Sequence, residues 1–219
     1  MTFETIFAGF GGQGILFAGK VIAYAGMIEG KNVSHLPSYG PEMRGGTANC
    51  SVIVSDEPVA SPIITEPELL VVMNGPSLDK FENAVVPGGK IFIDSTLISR
   101  ECARNDVTAF RIPATQMAND MGIPKLANMI IVGKLIKETG MFTWEELISA
   151  VTKLVPAAKA AACDGGSMVI SRLPSTRTAT EGIEPLQSTC IVPATEVLVE
   201  KRISLILPET YSGTSNLSN

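Results

Sequence analysis

The chain has 219 residues and a net charge of −5, with 45% hydrophobic and only 18% charged residues. Basic residues do not cluster and aromatic residues are scarce, which argues against a nucleic-acid-binding protein. This length suffices for one α/β domain with an appendage, and the apolar composition is typical of a subunit that buries surface against partner chains.

Predicted strands and helices alternate over the first 160 residues. An apolar strand at residues 5–8 leads through a glycine-rich segment to a helix over residues 14–29, in which apolar residues recur at three- and four-residue steps. Short apolar runs bounded by turn-forming residues predict further strands at residues 32–35, 48–54, 69–73, 90–94 and 108–112. Continuous apolar runs such as residues 69–73 are typical of strands that are buried on both faces.

Three later helices are predicted between and after these strands. The first two lie at residues 77–85 and 128–138, and the third begins at the capping box formed by residues 143–146. Trp144 is interpreted as a packing residue at the start of that helix. The alternation predicts an α/β fold, a three-layer Rossmann-like domain with a largely parallel sheet, over residues 1–163.

The C-terminal segment differs in composition from the rest of the chain. Residues 164–219 are rich in Ser and Thr, and only residues 195–207 are apolar enough to predict a regular element. We expect an irregular C-terminal tail. Two interpretations of it stay open, since such a segment either wraps a neighbouring subunit or is weakly ordered.

Cysteine spacing and hydropathy argue against a metal centre and a membrane segment in this chain. Cys50, Cys102, Cys163 and Cys190 lie too far apart in the sequence for zinc or iron–sulfur ligation. We expect Cys50 and Cys102 to be buried, reduced thiols. No apolar run reaches membrane-spanning length and no leader pattern opens the chain, so the sequence predicts a cytoplasmic protein.

Glycines at positions 9, 11 and 14 give the GxGxxG spacing between the first strand and the first helix. Such a turn leaves backbone N–H groups uncovered at the positive end of a helix, where a pyrophosphate or another anion binds well. The alternative is that these glycines only allow the helix to pack closely on the sheet. The sequence alone leaves both interpretations open.

A nicotinamide or flavin dinucleotide is disfavoured by the end of the second strand. Dinucleotide folds place Asp or Glu there to bind the ribose hydroxyls, whereas this strand ends at His35. His35 is the only histidine of the chain. Because no nucleophile motif accompanies it, we interpret it as a packing or interface residue and not as a general base.

Three motifs together resemble one protein family. They are Phe7-Ala8-Gly9-Phe10-Gly11-Gly12-Gln13-Gly14, the segment from Pro37 to Cys50 that contains Ser38-Tyr39-Gly40-Pro41-Glu42-Met43-Arg44-Gly45-Gly46, and the segment from Met73 to Phe81. In this order they resemble the gamma subunit of 2-oxoacid:ferredoxin oxidoreductases, of the 2-oxoglutarate and branched-chain 2-oxoacid type. The resemblance covers about residues 3–160 and does not extend into the tail.

The resemblance implies a multi-subunit enzyme that converts a 2-oxoacid such as 2-oxoglutarate or 2-oxoisovalerate to an acyl-CoA and reduces ferredoxin. In that family, thiamine diphosphate, magnesium and iron–sulfur clusters are held by partner subunits, here alpha and beta with delta as a further candidate. The gamma subunit is not catalytic alone. It is similar to a domain that helps to hold coenzyme A and to close over the active site.

Carried over residue by residue, the resemblance implies a coenzyme A contact at eight positions. The first-ranked residues are Gly11, Gly12, Gln13 and Gly14 near the phosphates and Arg44 as the charged contact, and the second-ranked residues are Tyr39, Glu42 and Asn49. A guanidinium and a glycine-rich helix N-terminus supply the donors that phosphates need. For Arg44 the alternative is an ion pair with a carboxylate of a partner subunit.

A second function of a different class stays open at this point. The chain also fits a freestanding nucleotide- or CoA-binding module with a regulatory role. The first function requires partner subunits that carry thiamine diphosphate and clusters, whereas the second permits a stable ligand-binding monomer or dimer. The sequence does not identify the 2-oxoacid.

Overall fold

The computed structural model describes residues 1–39 and 47–154. The strands of this part are β1 (Thr2–Phe10), β2 (Asn32–Tyr39), β3 (Thr47–Ser55), β4 (Leu69–Val72), β5 (Lys90–Asp94) and β6 (Thr108–Ile112). Its α-helices are α1 (Ile15–Ile28), α2 (Gly75–Phe81), α3 (Ala114–Asp120), α4 (Ala127–Thr139) and α5 (Trp144–Leu154), with 3-10 turns at Glu82–Ala84 and Pro124–Leu126. The predicted domain boundary at residues 163 and 164, the tail, Cys163 and Cys190 lie outside the described residues.

The described strands form one sheet in the order β2-β3-β1-β4-β5-β6. Strands β1, β4, β5 and β6 are parallel neighbours, and β3 is antiparallel to both β1 and β2. Because β2 therefore points the same way as β1, β3 alone among the described strands runs in the opposite direction. The prediction of a largely parallel α/β sheet is confirmed.

The β2–β3 hairpin is longer than the sequence predicted. Strand β2 continues through Pro37 to Tyr39, where the predicted strand stopped at His35. Pro37 pairs with Cys50 of β3, and β2 has no neighbour on its other side in the described sheet. A proline is tolerated there because an edge strand does not need every backbone N–H for pairing.

Side chains from the two faces of the sheet form two separate hydrophobic clusters. The larger one lies between the sheet and α1, α3, α4 and α5, and its centre includes Phe7, Val71 and the stacked rings of Phe92 and Phe110. The smaller one includes Ile6 and Ile93 and is covered by α2 and by loop residues. The predicted three layers are present, with the second helical layer reduced to one short helix.

Helix ends follow local sequence signals in some places and tertiary contacts in others. The capping box is confirmed, because the Thr143 N–H donates to Glu146 Oε2 at 2.8 Å and the Glu146 N–H donates to Thr143 Oγ1 at 3.3 Å. Trp144 packs on the larger cluster, as predicted. Helix α3 was not predicted. It begins where the buried carboxylate of Asp94 accepts hydrogen bonds from the N–H and hydroxyl of Thr115.

A buried carboxylate holds the loop between β5 and β6 against the end of α2. Glu82 accepts hydrogen bonds from Arg100 Nη2 at 2.8 Å and from the Ala103 N–H at 2.6 Å. Burial acts to raise the pKa of Glu82, but the hydrogen bonds that it accepts, that of Arg100 foremost, hold it below its ordinary value. This loop closes the smaller cluster in place of a second helix.

Two glycines on one face of α1 allow the helix to approach the hairpin closely. A Cβ at Gly19 would lie 2.4 Å from Sγ of Cys50, and a Cβ at Gly26 would lie 2.9 Å from Cγ1 of Val54. Both distances are too short for any real Cβ contact. Cys50 is fully buried, and burial raises the pKa of its thiol to about 12, whereas Cys102 is half-buried.

Replacing Gly19 by alanine is therefore expected to destabilise the chain. Overpacking of this kind costs about 1–3 kcal/mol, and the better helix propensity of alanine recovers less than about 1 kcal/mol. Thermal unfolding followed by circular dichroism measures the net loss as a lower Tm. Gly75→Ala is the matched control, because a Cβ at Gly75 meets nothing within 4 Å. Equal melting of the two variants would contradict the close packing.

Candidate functional site

The predicted glycine-rich loop lies at the carboxyl edge of the sheet, between the end of β1 and the start of α1. The Gln13 N–H donates to the Phe10 carbonyl at 3.2 Å, which closes a four-residue turn. Gly12, the third residue of that turn, has φ 97°, and Gly14 has φ 77°. Residues other than glycine rarely adopt these φ angles, so the backbone of the turn requires glycine at both positions.

Helix α1 presents a free, positively polarised end in this loop. Gly14 is its N-cap, no side chain caps it, and its first turn carries no acidic residue. The first intrahelical bond joins the Ala18 N–H to the Gly14 carbonyl, so the preceding N–H groups have no partner within the helix. Gly12 is exposed, and a Cβ there would meet nothing within 4 Å. The loop therefore combines uncovered donors with open space for an anion.

Both amide atoms of the Gln13 side chain form hydrogen bonds to backbone groups of the protein. Its Oε1 accepts a hydrogen bond from the Phe10 N–H at 2.6 Å, and its Nε2 donates to the Met73 carbonyl at 2.8 Å. The amide thus joins the loop to the end of β4. A Cβ at Gly9 would lie 2.6 Å from the same Oε1, so Gly9 makes room for this side chain.

Asn128, a residue that the sequence did not single out for the site, holds the other end of the loop. Its Nδ2 donates to the Gly14 carbonyl at 3.0 Å, across 114 positions of sequence. Asn128 is 5% exposed, and a Cβ at Gly14 would lie 2.5 Å from its Nδ2. No spacing in the sequence relates the start of α4 to the glycine loop, so this contact had no sequence signal.

The second predicted segment is described only at its two ends. Glu42 and Arg44 lie outside the described residues. The backbone of Tyr39 ends β2 and pairs with Ala48 of β3. Asn49 is half-buried in β3 and pairs with Ala8, two positions before the end of β1. Because the neighbouring Cys50 faces α1, Asn49 lies on the other face of the sheet.

His35 packs against α1, in agreement with its interpretation as a packing residue. Its ring is half-buried, and its Nε2 is buried without a hydrogen-bond partner among the described residues. Burial and the Lys20 ammonium lower the pKa of His35 below its ordinary value, while the Leu16 backbone acts in the opposite direction. The lowered pKa favours the neutral imidazole at pH 7.

The described part of the chain contains neither a metal-binding cluster nor a membrane-spanning helix. No group of three or more His, Cys, Asp or Glu side chains there lies close enough together to hold a metal ion. None of the helices in residues 1–39 and 47–154 is long and apolar enough to cross a bilayer.

The profile of the pyruvate ferredoxin/flavodoxin oxidoreductase family matches residues 4–164. The chain belongs to this family. Its resemblance to a gamma subunit, which rests on three motifs, is confirmed by its similarity to a solved gamma subunit from Geobacter sulfurreducens. One relative is 2-oxoglutarate synthase subunit KorC from Methanocaldococcus jannaschii. That relative is 34% identical over 156 residues, which cover 70% of this chain and 83% of KorC.

A second relative is much longer than this chain. Ketoisovalerate oxidoreductase subunit VorA from Methanothermobacter thermautotrophicus is 43% identical over 129 residues. These residues are 59% of this chain and only 27% of VorA, so the match spans about a quarter of that protein.

Two solved structures share the fold. The gamma subunit of a keto/oxoacid ferredoxin oxidoreductase from Geobacter sulfurreducens aligns with a TM-score of 0.68 and 27% identity, over 77% of this chain and 96% of that chain. The 2-oxoglutarate:ferredoxin oxidoreductase from Magnetococcus marinus, which contains 2-oxoglutarate, coenzyme A and succinyl-CoA, aligns with a TM-score of 0.67 over 78% of this chain and 31% of that chain. Because the two sequences are only 22% identical, this structural similarity is evidence of the shared fold only.

The environment of His35 gives a titration that NMR can follow, because the chain has no other histidine. We expect its proton resonances to titrate below the ordinary value of 6.5. Lys20→Met should move the pKa upward, since it removes a like charge, and Lys80→Met on α2 should leave it unchanged. A wild-type pKa at or above 6.5 would contradict the buried environment.

The same shift predicts a pH dependence of stability. Since the unfolded chain takes up this proton more readily than the folded chain, the free energy of unfolding should fall as the pH drops through 6.5.

Proposed function

We propose that this chain is the coenzyme A-facing subunit of a complex that converts 2-oxoglutarate or a branched-chain 2-oxoacid to an acyl-CoA. The observation that carries the proposal is the uncapped N-terminus of α1 in the glycine loop, in a chain of this family. The names of the relatives support the substrate class, since they are 2-oxoglutarate and ketoisovalerate enzymes. Ferredoxin is the proposed electron acceptor of the complex.

The residues of the loop fit a phosphate group of coenzyme A. Its pyrophosphate needs several N–H donors without a competing carboxylate, and α1 offers them with no acidic residue in its first turn. The open space at Gly12 leaves room for the phosphate oxygens. Lys20, exposed on the next turn of α1 and without an ion pair among the described residues, adds positive charge nearby. The fit therefore depends on the backbone more than on side chains.

Arg44 is the proposed charged contact in the second motif. It precedes Thr47 by three residues, and Thr47 pairs with Phe10 at the end of β1. Tyr39, Glu42 and Asn49 remain second-ranked positions of the same proposal. An ion pair of Arg44 with a partner subunit is the alternative role.

The chemistry of the complex would come from its other subunits. Thiamine diphosphate with magnesium supplies decarboxylation, and iron–sulfur clusters carry the electrons, both in the proposed alpha and beta subunits with delta as a further candidate. This chain would bind coenzyme A, orient it, and close over the active site. The alternative, a freestanding ligand-binding module, predicts that the chain purifies from its own cells without partners. Co-purification with thiamine- and cluster-containing subunits would exclude that alternative.

Gly12→Ala tests the loop in the assembled enzyme. The added methyl group narrows the approach to the N–H donors, so the KM for coenzyme A should rise about tenfold, while the KM for the 2-oxoacid should not change. Gly30→Ala is the matched control, because Gly30 also has a positive φ, 71°, and a Cβ there meets nothing within 4 Å. Steady-state kinetics at saturating 2-oxoacid measures the KM for coenzyme A, and kinetics at saturating coenzyme A measures the KM for the 2-oxoacid.

The pair of variants separates ligand binding from backbone strain. Both substitutions put alanine into the left-handed region, which costs about 1 kcal/mol at either site. Equal KM values for coenzyme A in the two assembled variants would therefore overturn the proposed contact. A rise confined to Gly12→Ala would support it.

A further inference from the structure

The side-chain amide of Gln13 joins two segments that both end at the carboxyl edge of the sheet. On one side it accepts a hydrogen bond from the Phe10 N–H at 2.6 Å, and on the other it donates to the Met73 carbonyl at 2.8 Å. Phe10 ends β1, and Met73 directly follows β4. We call this pair of hydrogen bonds the Gln13 brace.

The brace requires an amide of the length of glutamine. One end must accept from an N–H and the other must donate to a carbonyl, which a carboxylate cannot do at both ends. The bond to the Met73 carbonyl is partly buried, so its loss leaves a carbonyl with reduced access to replacement by water, whereas the bond from the Phe10 N–H is exposed. The space for Oε1 exists because residue 9 is a glycine.

Among the residues that the structure describes, two other hydrogen bonds attach the ends of the loop. At its start the turn is closed by one backbone bond of 3.2 Å between Gln13 and Phe10, and at its end Asn128 Nδ2 donates to the Gly14 carbonyl. Between these two points lie Gly11 and Gly12, which have no side chains to fix the backbone. Among the described residues, the brace thus joins the turn bond and the Asn128 bond in fixing the backbone of this stretch.

We propose that Gln13 is a positioning residue that holds the glycine loop in its ligand-binding conformation, and does not itself contact the ligand. This inference rests on the proposed coenzyme A contact of the loop. A loop that is already ordered loses less conformational freedom when the ligand binds. Gln13 thus acts on the affinity for coenzyme A through the backbone of residues 10–14.

The test compares Gln13→Met with Gln116→Met in the assembled enzyme. Methionine keeps the length of glutamine and removes both hydrogen-bonding groups. Gln116 lies on α3, where its Nε2 donates to Asp120 at 2.7 Å, so its replacement also removes a glutamine side-chain bond but far from the loop in sequence. Gln13→Met should raise the KM for coenzyme A about tenfold and leave the KM for the 2-oxoacid unchanged. Gln116→Met should change neither constant.

Hydrogen exchange of the complex without coenzyme A distinguishes positioning from direct contact. Without the brace, the Phe10 N–H and its neighbours in residues 10–14 lose protection, and mass spectrometry should detect faster exchange of the peptide that contains them. If Gln13 instead touched the ligand, the KM would rise while exchange in the ligand-free complex stayed as in the wild type. That result would overturn the proposal.

Gly12→Ala separates this inference from the proposed function. A raised KM for coenzyme A in Gly12→Ala together with an unchanged one in Gln13→Met would overturn the positioning role and leave the contact intact. An unchanged KM for coenzyme A in both variants would overturn the proposed contact and the positioning role together. Where Gln13→Met does not assemble, Gln13→Asn, which is one methylene too short for both bonds, replaces it. Unchanged exchange of residues 10–14 in the full chain of that variant would equally overturn the brace.

Discussion

The connection from β1 to α1, and the close packing of that helix on the sheet, is the constraint on which the rest of this structure depends. The chain must leave a buried strand, turn within four residues and start a 14-residue helix that packs back on the same sheet. Positive φ angles at Gly12 and Gly14 make the turn. Gly19 and Gly26 then allow the helix to approach β3, where any side chain would overlap with Cys50 or Val54. The candidate site is thus a consequence of how the first helix is attached.

Electrostatics at this end of α1 differ from those of the chain as a whole. The net charge is −5, yet the first turn of the helix has no acidic residue and no side-chain cap. A helix N-terminus without these groups has its partial positive charge available for an external anion. Most soluble helices satisfy part of it internally with Ser, Thr, Asn or Asp. Helix α5 has a complete capping box, whereas α4, like α1, has neither a side-chain cap nor an acidic residue in its first turn.

Buried polar atoms without partners also occur near this edge. Among the described residues they include Asn74 Nδ2, Ser77 Oγ and Asn128 Oδ1. Asn74 directly follows Met73, whose carbonyl accepts the bond from Gln13, and Asn128 donates through its other amide atom to Gly14. Such atoms lower stability, and natural proteins tolerate them chiefly at functional sites. Their positions agree with a site that is built around the glycine loop.

The sequence by itself determined the elements whose signals are local. Apolar runs located β5 and β6 to the residue, the capping box located the start of α5, and glycine spacing located the turn before α1. Only the tertiary structure decided the rest. Residue spacing carries no information on contacts such as that of Asn128 with Gly14, and hairpin pairing extended β2 past a proline that ended the predicted strand. It was also the fold that placed both ends of the Gln13 amide on backbone groups, because Met73 reaches the loop only when β4 pairs beside β1.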